Sequence, residues 1–317
     1  MIGVDDVVAA AAVIEGVVHR TPVIRSRTLD AVAGAEVLLK VESLQRAGSF
    51  KFRGASHRVA LLTEDERRRG VVAGSSGNHG SALALAASLA GVPATIVMPE
   101  DASTLKRAAI EGYGGTVVTH DRYSTRNTQI AASLSEETGA VLVPPYDDWR
   151  IMAGAGTTAL ELAEEVDDLD VFVAPVSGGG LMAGCATVVA DRLRGCRIVG
   201  VEPAEADDTR RSLGSGERVH TEVGRTICDG LQTPQPGELT WQVNSRLLDA
   251  VETVEDDEVV DAMRFAFERL KLVLEPSGAA SLAAVLHRGV ARGRTGVVLS
   301  GGNVAADRFA ELVAGGR

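Results

Sequence analysis

The sequence predicts an α/β protein with largely parallel sheets, and three observations predict it. Short β-rich runs alternate with amphipathic helical stretches, the pattern of strands joined by crossover helices. The strands fall in two series along the chain. Glycine-rich loops follow several of them, where a strand hands over to a helix and ligands collect.

In the first series, Val71-Val72-Ala73, Ala94 to Met98, Thr116 to Thr119 and Val141-Leu142-Val143 read as buried strands. Ser81 to Ala90, Thr104 to Glu111 and Arg126 to Glu137 read as the helices between them. In the second, strands are expected near Val171-Phe172-Val173, Arg197 to Val201 and Val297-Val298-Leu299. A helix is expected from about Gly154, after Pro144-Pro145-Tyr146-Asp147-Asp148, and another from about Leu181. No internal repeat or low-complexity linker interrupts this order.

The bulk numbers bound the function. At 317 residues and 45% hydrophobic side chains the chain can bury a large core, in one domain or two lobes. A formal net charge of -11, with no lysine-arginine block, argues against nucleic acid or an anionic membrane as the main partner. Cys185, Cys196 and Cys228 have no metal spacing and no even pairing, which points to reduced thiols. Asp5, Asp6 and Glu15 interrupt any secretory apolar region, and no stretch is long enough to span a bilayer. The cytoplasm is the expected compartment.

Four segments carry the chemistry. In Gly48-Ser49-Phe50-Lys51-Phe52-Arg53-Gly54 a lysine sits among small residues and aromatics. A lysine stripped of water there loses its charge readily and becomes a nucleophile toward an aldehyde. Ser177-Gly178-Gly179-Gly180-Leu181 follows a strand and opens a helix, so its N–H groups and the helix dipole form a cup for phosphate. Ser75-Ser76-Gly77-Asn78-His79-Gly80 opens another helix and has the same logic for a carboxylate. Ser300-Gly301-Gly302-Asn303 ends the last strand. The bland alternatives are tight turns and, for Ser300, a capping serine.

Together and in this order the four segments resemble the pyridoxal-phosphate (PLP) enzymes of the serine/threonine dehydratase and serine racemase family, with the tryptophan synthase β-like fold. The resemblance runs from about Thr21-Pro22 to the last loop. It implies two open, mostly parallel twisted sheets with flanking helices. It also implies a large lobe over 1–69 and 148–317, interrupted by a small lobe over 70–147.

The resemblance further assigns roles. Lys51 would hold PLP covalently and serve as general base, beside Phe50. Ser177, Gly178, Gly179, Gly180 and Leu181 would bind its phosphate. Asn78 would contact its phenolic oxygen. Ser300 would be a neutral partner for the pyridine nitrogen, which suits elimination better than transamination. Ser75, Ser76, Gly77, Asn78 and His79 would hold the substrate carboxylate, with Ser76 facing the substrate opposite Lys51 as a second acid/base and His79 contributing packing. Glu202, Asp208 and the Ala206 carbonyl resemble a site for Mg²⁺ or Ca²⁺, against the alternative of a solvated acidic loop.

Tyr146 stands where some racemases have asparagine, which favours a dehydratase. Arg126 lies one residue off a substrate-facing arginine of the racemases and reads as an exposed helix residue. Asp229-Gly230 and Thr233 resemble a segment lining the substrate cavity.

The expected activity is that of an ammonia-lyase dehydrating L-threonine, L-serine or a close β-hydroxy amino acid to a 2-oxo acid and ammonia. The alternatives are an amino-acid racemase using Lys51 and Ser76, and a 3-hydroxyaspartate dehydratase, which needs an added cation for the β-carboxylate. A PLP-binding scaffold without activity is the non-enzymatic one. A homodimer is expected from the resemblance. Fourteen residues follow Asn303, too few for the regulatory domain of biosynthetic threonine dehydratases, so no feedback inhibition by isoleucine is expected.

Overall fold

A computed structural model describes residues 1–102, 104–121, 123 and 126–315. Among these described residues ten strands form two sheets: β1 (Val23–Arg25), β2 (Glu36–Val41), β3 (Val71–Gly74), β4 (Ala94–Pro99), β5 (Thr116–His120), β6 (Val141–Leu142), β7 (Val171–Pro175), β8 (Arg197–Pro203), β9 (Ala250–Val254) and β10 (Arg294–Leu299). The larger sheet has the order β1-β2-β10-β7-β8-β9 and the smaller one β5-β4-β3-β6. Of the pairings between these strands, the β1–β2 pairing is antiparallel and the rest are parallel.

The period of two along each strand sorts side chains onto two buried faces. Val37, Leu39, Val41, Val171, Val173, Val199, Val201, Val297 and Leu299 share one core with helices Asp256–Phe265 and Pro276–His287. Leu38, Phe172, Ala174, Ile198 and Val298 face the other way. That core is closed by helices Val4–Ile14, Trp149–Glu165 and Gly180–Arg192. In the smaller sheet Val71, Ala73, Ile96 and Met98 pack on helices Lys51–Ala60 and Asn78–Leu89. Val72 and Val97 face Ala131 of helix Asn127–Thr138. Helix Lys51–Ala60, which precedes the smaller sheet in the chain, thus contributes Phe52, Ala55 and Val59 to its core.

All seven expected strands and the three helices of the first series are present within three residues of their expected bounds. Strands β1, β2 and β9 are additional to those the sequence predicts. The helix expected from Gly154 begins at Trp149, where Asp148 caps it by accepting from the Arg150 N–H at 2.6 Å. Among the described residues no helix is long and apolar enough to cross a membrane.

Candidate active site

The loops after β3, β7 and β10 meet the start of helix Lys51–Ala60 around a cleft of about 610 Å³. Its lining includes Phe50, Lys51, Ser75 to His79, Ser177 to Leu181, Glu275 and Ser300. The Lys51 segment is stitched to the loop after β10: Ser49 bridges Gly301, and the Phe50 N–H donates to the Ser300 carbonyl at 3.1 Å. Lys51 is half-buried. Its Nζ donates to the Pro145 carbonyl at 2.7 Å and lies 5.0 Å from the Phe50 ring centre. Burial lowers its pKa from 10.5 to about 8, so a neutral amine is accessible near physiological pH.

In the loop after β3 the Ser75 hydroxyl accepts from the N–H groups of Gly77 (3.3 Å) and Gly80 (3.1 Å). Ser75 therefore shapes the turn, while Ser76 borders the cleft. Asn78 begins helix Asn78–Leu89, whose first N–H groups lack partners within the helix and offer an anion site. His79 is buried, with its Nε2 2.9 Å from the Val143 carbonyl, to which it donates. Burial, reinforced by Lys51, lowers its pKa to about 4. The ring stays neutral, and its Nε2 proton is committed to that carbonyl, which leaves it unsuited to act as a base.

The loop after β7 is held from behind. Thr240 Oγ1 donates to the Gly178 carbonyl at 2.6 Å, and Asn244 Nδ2 to the Gly179 carbonyl at 3.2 Å. Across a trans peptide the N–H opposes the C=O, so the Gly180 N–H points away from Asn244. A Cβ on Gly178 would collide with the Tyr146 ring. Ser177 adopts φ +55°, the left-handed region that non-glycine residues rarely occupy. Leu181 follows Gly180 in the helix, buried at the cleft edge. This cup of amides at a helix N-terminus fits a phosphate. In the same cleft, the buried Ser300 hydroxyl is a neutral group 3.4 Å from the Ser277 carbonyl. With Lys51 in the same cleft, these residues fit the phosphate, aldehyde and ring nitrogen of PLP.

Glu202 and Asp208 are both fully buried. Burial, and for Glu202 the neighbouring Asp208, push both carboxyls up. Glu202 accepts from the N–H groups of Thr209 (3.3 Å) and Arg210 (3.1 Å). Asp208 Oδ1 accepts from Thr233 Oγ1 at 3.4 Å, but Oδ2 is buried without a hydrogen-bond partner. Ala206 lies buried in the short turn between them. An orphaned carboxylate oxygen beside a second buried acid fits a hard cation. No cluster of three or more acid, histidine or cysteine ligands occurs among the described residues, so such a cation needs carbonyls or water as well.

Tyr146, Asp229, Gly230 and Thr233 line the cleft. Arg126 is exposed at the N-terminal end of its helix, and Asn127 borders the cleft instead. Sequence reasoning missed Lys106 and Glu275. Lys106 reaches the cleft and pairs with Asp229 at 2.7 Å. The signal for Glu275 is an acid directly after the apolar run Leu272-Val273-Leu274.

A family model described as pyridoxal-phosphate dependent enzyme matches residues 14–301. The L-threo-3-hydroxyaspartate ammonia-lyase of Saccharomyces cerevisiae is 44% identical over 312 residues, 98% of this chain and 96% of the relative. The serine racemase of Schizosaccharomyces pombe is 40% identical over 311 residues, 98% of this chain and 96% of the relative. The structure of maize serine racemase superposes with a TM-score of 0.93 at 38% identity, covering 99% of this chain and 97% of the other. The chain belongs to the pyridoxal-phosphate dependent enzymes, in the branch whose members include ammonia-lyases and serine racemases.

Proposed function

We propose that the chain is an ammonia-lyase that removes water from a small β-hydroxy amino acid, L-threonine or L-serine, to give a 2-oxo acid and ammonia. One observation carries the reading: a lysine with a burial-lowered pKa of about 8 shares a cleft with a glycine cup and a second helix N-terminus. When bound, PLP withdraws electrons and acidifies the substrate α-hydrogen. The amides from Ser177 to Leu181 hold its phosphate. The Ser300 hydroxyl meets its ring nitrogen without adding charge. The N–H groups opening helix Asn78–Leu89 receive the substrate carboxylate.

With substrate in the cleft, Lys51 Nζ would act as the base that takes the α-proton. The β C–O bond would break, the hydroxyl leaving as water with the proton that Lys51 Nζ has taken up. The enamine product then tautomerises and hydrolyses to the 2-oxo acid and ammonia. Residues 70–147, which contain β3 to β6, form the smaller lobe in this reading, and 1–69 with 148–317 the larger. Glu202, Asp208 and the Ala206 carbonyl hold Mg²⁺ or Ca²⁺, a role supported by the orphaned Asp208 oxygen.

A second reading takes 3-hydroxyaspartate as substrate. Lys106 favours it, because its ammonium borders the cleft where a β-carboxylate could displace Asp229. Product analysis on L- and D-serine, L-threonine and L-threo-3-hydroxyaspartate tests both. Absence of 2-oxo acid from every substrate refutes the lyase reading. A preference for 3-hydroxyaspartate that Lys106→Met abolishes, with serine turnover kept, selects the second.

A further inference from the structure

We propose that Glu275 and Asn303 are positioning residues that hold the Asn78 carboxamide in a single orientation, leaving one of its N–H bonds for the phenolic oxygen of the cofactor. The inference rests on reading this cleft as the PLP site.

Four remote segments converge here. Asn78 Nδ2 donates to Glu275 Oε1 at 2.5 Å. Asn303 Nδ2 donates both to Asn78 Oδ1 at 2.8 Å and to the Ala47 carbonyl at 2.7 Å. A carboxamide has one acceptor oxygen and two N–H donors. Asn303 therefore spends both its hydrogens, and Asn78 spends its oxygen and one hydrogen. The second Asn78 hydrogen is left over, on a residue that borders the cleft.

The direction of the chain is fixed at its far end. A backbone carbonyl can only accept, so Ala47 forces the amino group of Asn303 toward itself. That same amino group then requires the oxygen of Asn78, which turns the Asn78 amino group toward Glu275. Flipping Asn78 would set two amino groups against each other. Glu275 accepts whether ionised or not, through its unprotonated oxygen. It is 4% exposed, and burial raises its pKa to about 8.

Two glycines of the cleft loops make room for this chain. A Cβ on Gly48 would strike the Asn303 carboxamide, and a Cβ on Gly301 would strike the Glu275 carboxylate. Gly48 also has φ +71°, in the left-handed region. Both positions serve side-chain placement rather than direct contact with a ligand.

A donor at the phenolic oxygen favours its ionised form, so the test is spectroscopic. Apoproteins of the wild type and of Asn78→Ala, Asn303→Ala, Glu275→Ala and Glu275→Gln are reloaded with PLP. The absorbance of the lysine-bound cofactor and its dissociation constant are then measured. The three alanine variants should shift absorbance toward the short-wavelength band of the neutral oxygen and weaken retention roughly tenfold, the size of one hydrogen bond. Glu275→Gln keeps an acceptor for Asn78 and should match the wild type in both readouts. In an Asn78→Ala background, Asn303→Ala should add nothing.

Wild-type spectra in Asn303→Ala and Glu275→Ala overturn the proposal, as do additive effects in the double variant. Glu275→Gln as damaged as Glu275→Ala also overturns it, because charge rather than acceptance would then matter. Failure of the wild type itself to bind PLP through Lys51 refutes the underlying reading instead.

Discussion

Replacing Arg53 by methionine should destabilise the protein without touching the cleft. Arg53 is fully buried, two residues after Lys51. Its guanidinium grips Glu42 through Nε and Nη2, both at 2.8 Å, and Glu161 through Nη1 at 2.6 Å and Nη2 at 2.9 Å. Lys40, also fully buried, donates to Glu161 at 2.6 Å and to the Thr21 carbonyl at 2.6 Å. Two cations thus balance two carboxylates.

Arg53→Met keeps most of the apolar stem but leaves the Glu42 carboxylate with the Thr21 hydroxyl, at 2.6 Å, as its side-chain partner among the described residues. Breaking a buried pair from one side costs about 3–5 kcal/mol. With an m-value of about 3 kcal/mol/M, the urea midpoint of the apoprotein falls by roughly 1–1.7 M. Fluorescence of Trp149 and Trp241 follows the transition. Adding Glu42→Gln removes the stranded charge and should restore about 2 kcal/mol, so the two substitutions are strongly non-additive. A midpoint for Arg53→Met within about 0.3 M of the wild type refutes the reasoning.

Three further outcomes are expected. Only the neutral amine attacks an aldehyde, and the Lys51 pKa is lowered to about 8, so covalent capture of PLP should accelerate about tenfold per pH unit below 8 and level off above it; stopped-flow absorbance measures this, a flat profile contradicts it, and Lys51→Ala should abolish both capture and turnover. Ser76→Ala should suppress L-to-D serine conversion and D-serine turnover far more than L-serine dehydration, as chiral chromatography of the products would show, since inversion needs a donor opposite Lys51; equal losses would make Ser76 a positioning group. Mg²⁺ or Ca²⁺ should raise the melting temperature of the wild type but not of Asp208→Ala, because an ion bound only by the folded state stabilises it; identical melting curves with chelator and with cation would return the acidic loop to a purely structural role.

The strands that the sequence hid are informative. In β2, Glu36 and Lys40 interrupt the apolar run, and a lysine in a central strand reads as a break. The structure tolerates it because Glu161, 121 residues away, supplies the counter-charge. β9 is an edge strand with mixed burial, and β1 has three residues, so neither carries a strong period-two signal. Gly154 and Gly156 suggest a late helix start. They lie inside the helix, where a Cβ on either would press against the backbone of Gly54 or Gly184 in a neighbouring helix. The glycine loops are legible because their chemistry is local. Glu275 gives only the weak local signal of an acid after an apolar run, since its partners at 78 and 303 become neighbours only through the fold.

The strand order bears on how the enzyme is made. β10 lies between β2 and β7, so the centre of the larger sheet is empty until residues 294–299 have been synthesised. The smaller sheet, by contrast, comes from one continuous stretch. Lys51 leaves the ribosome about 250 residues ahead of Ser300, an interval of roughly 12–50 s at typical elongation rates. Throughout that time the lysine lacks the Ser300 hydroxyl of its cleft and the strand that anchors its loop. A PLP molecule encountered then meets a lysine whose cleft still lacks Ser300. Completion of the cleft is therefore a late event in biosynthesis, timed by the arrival of a single central strand.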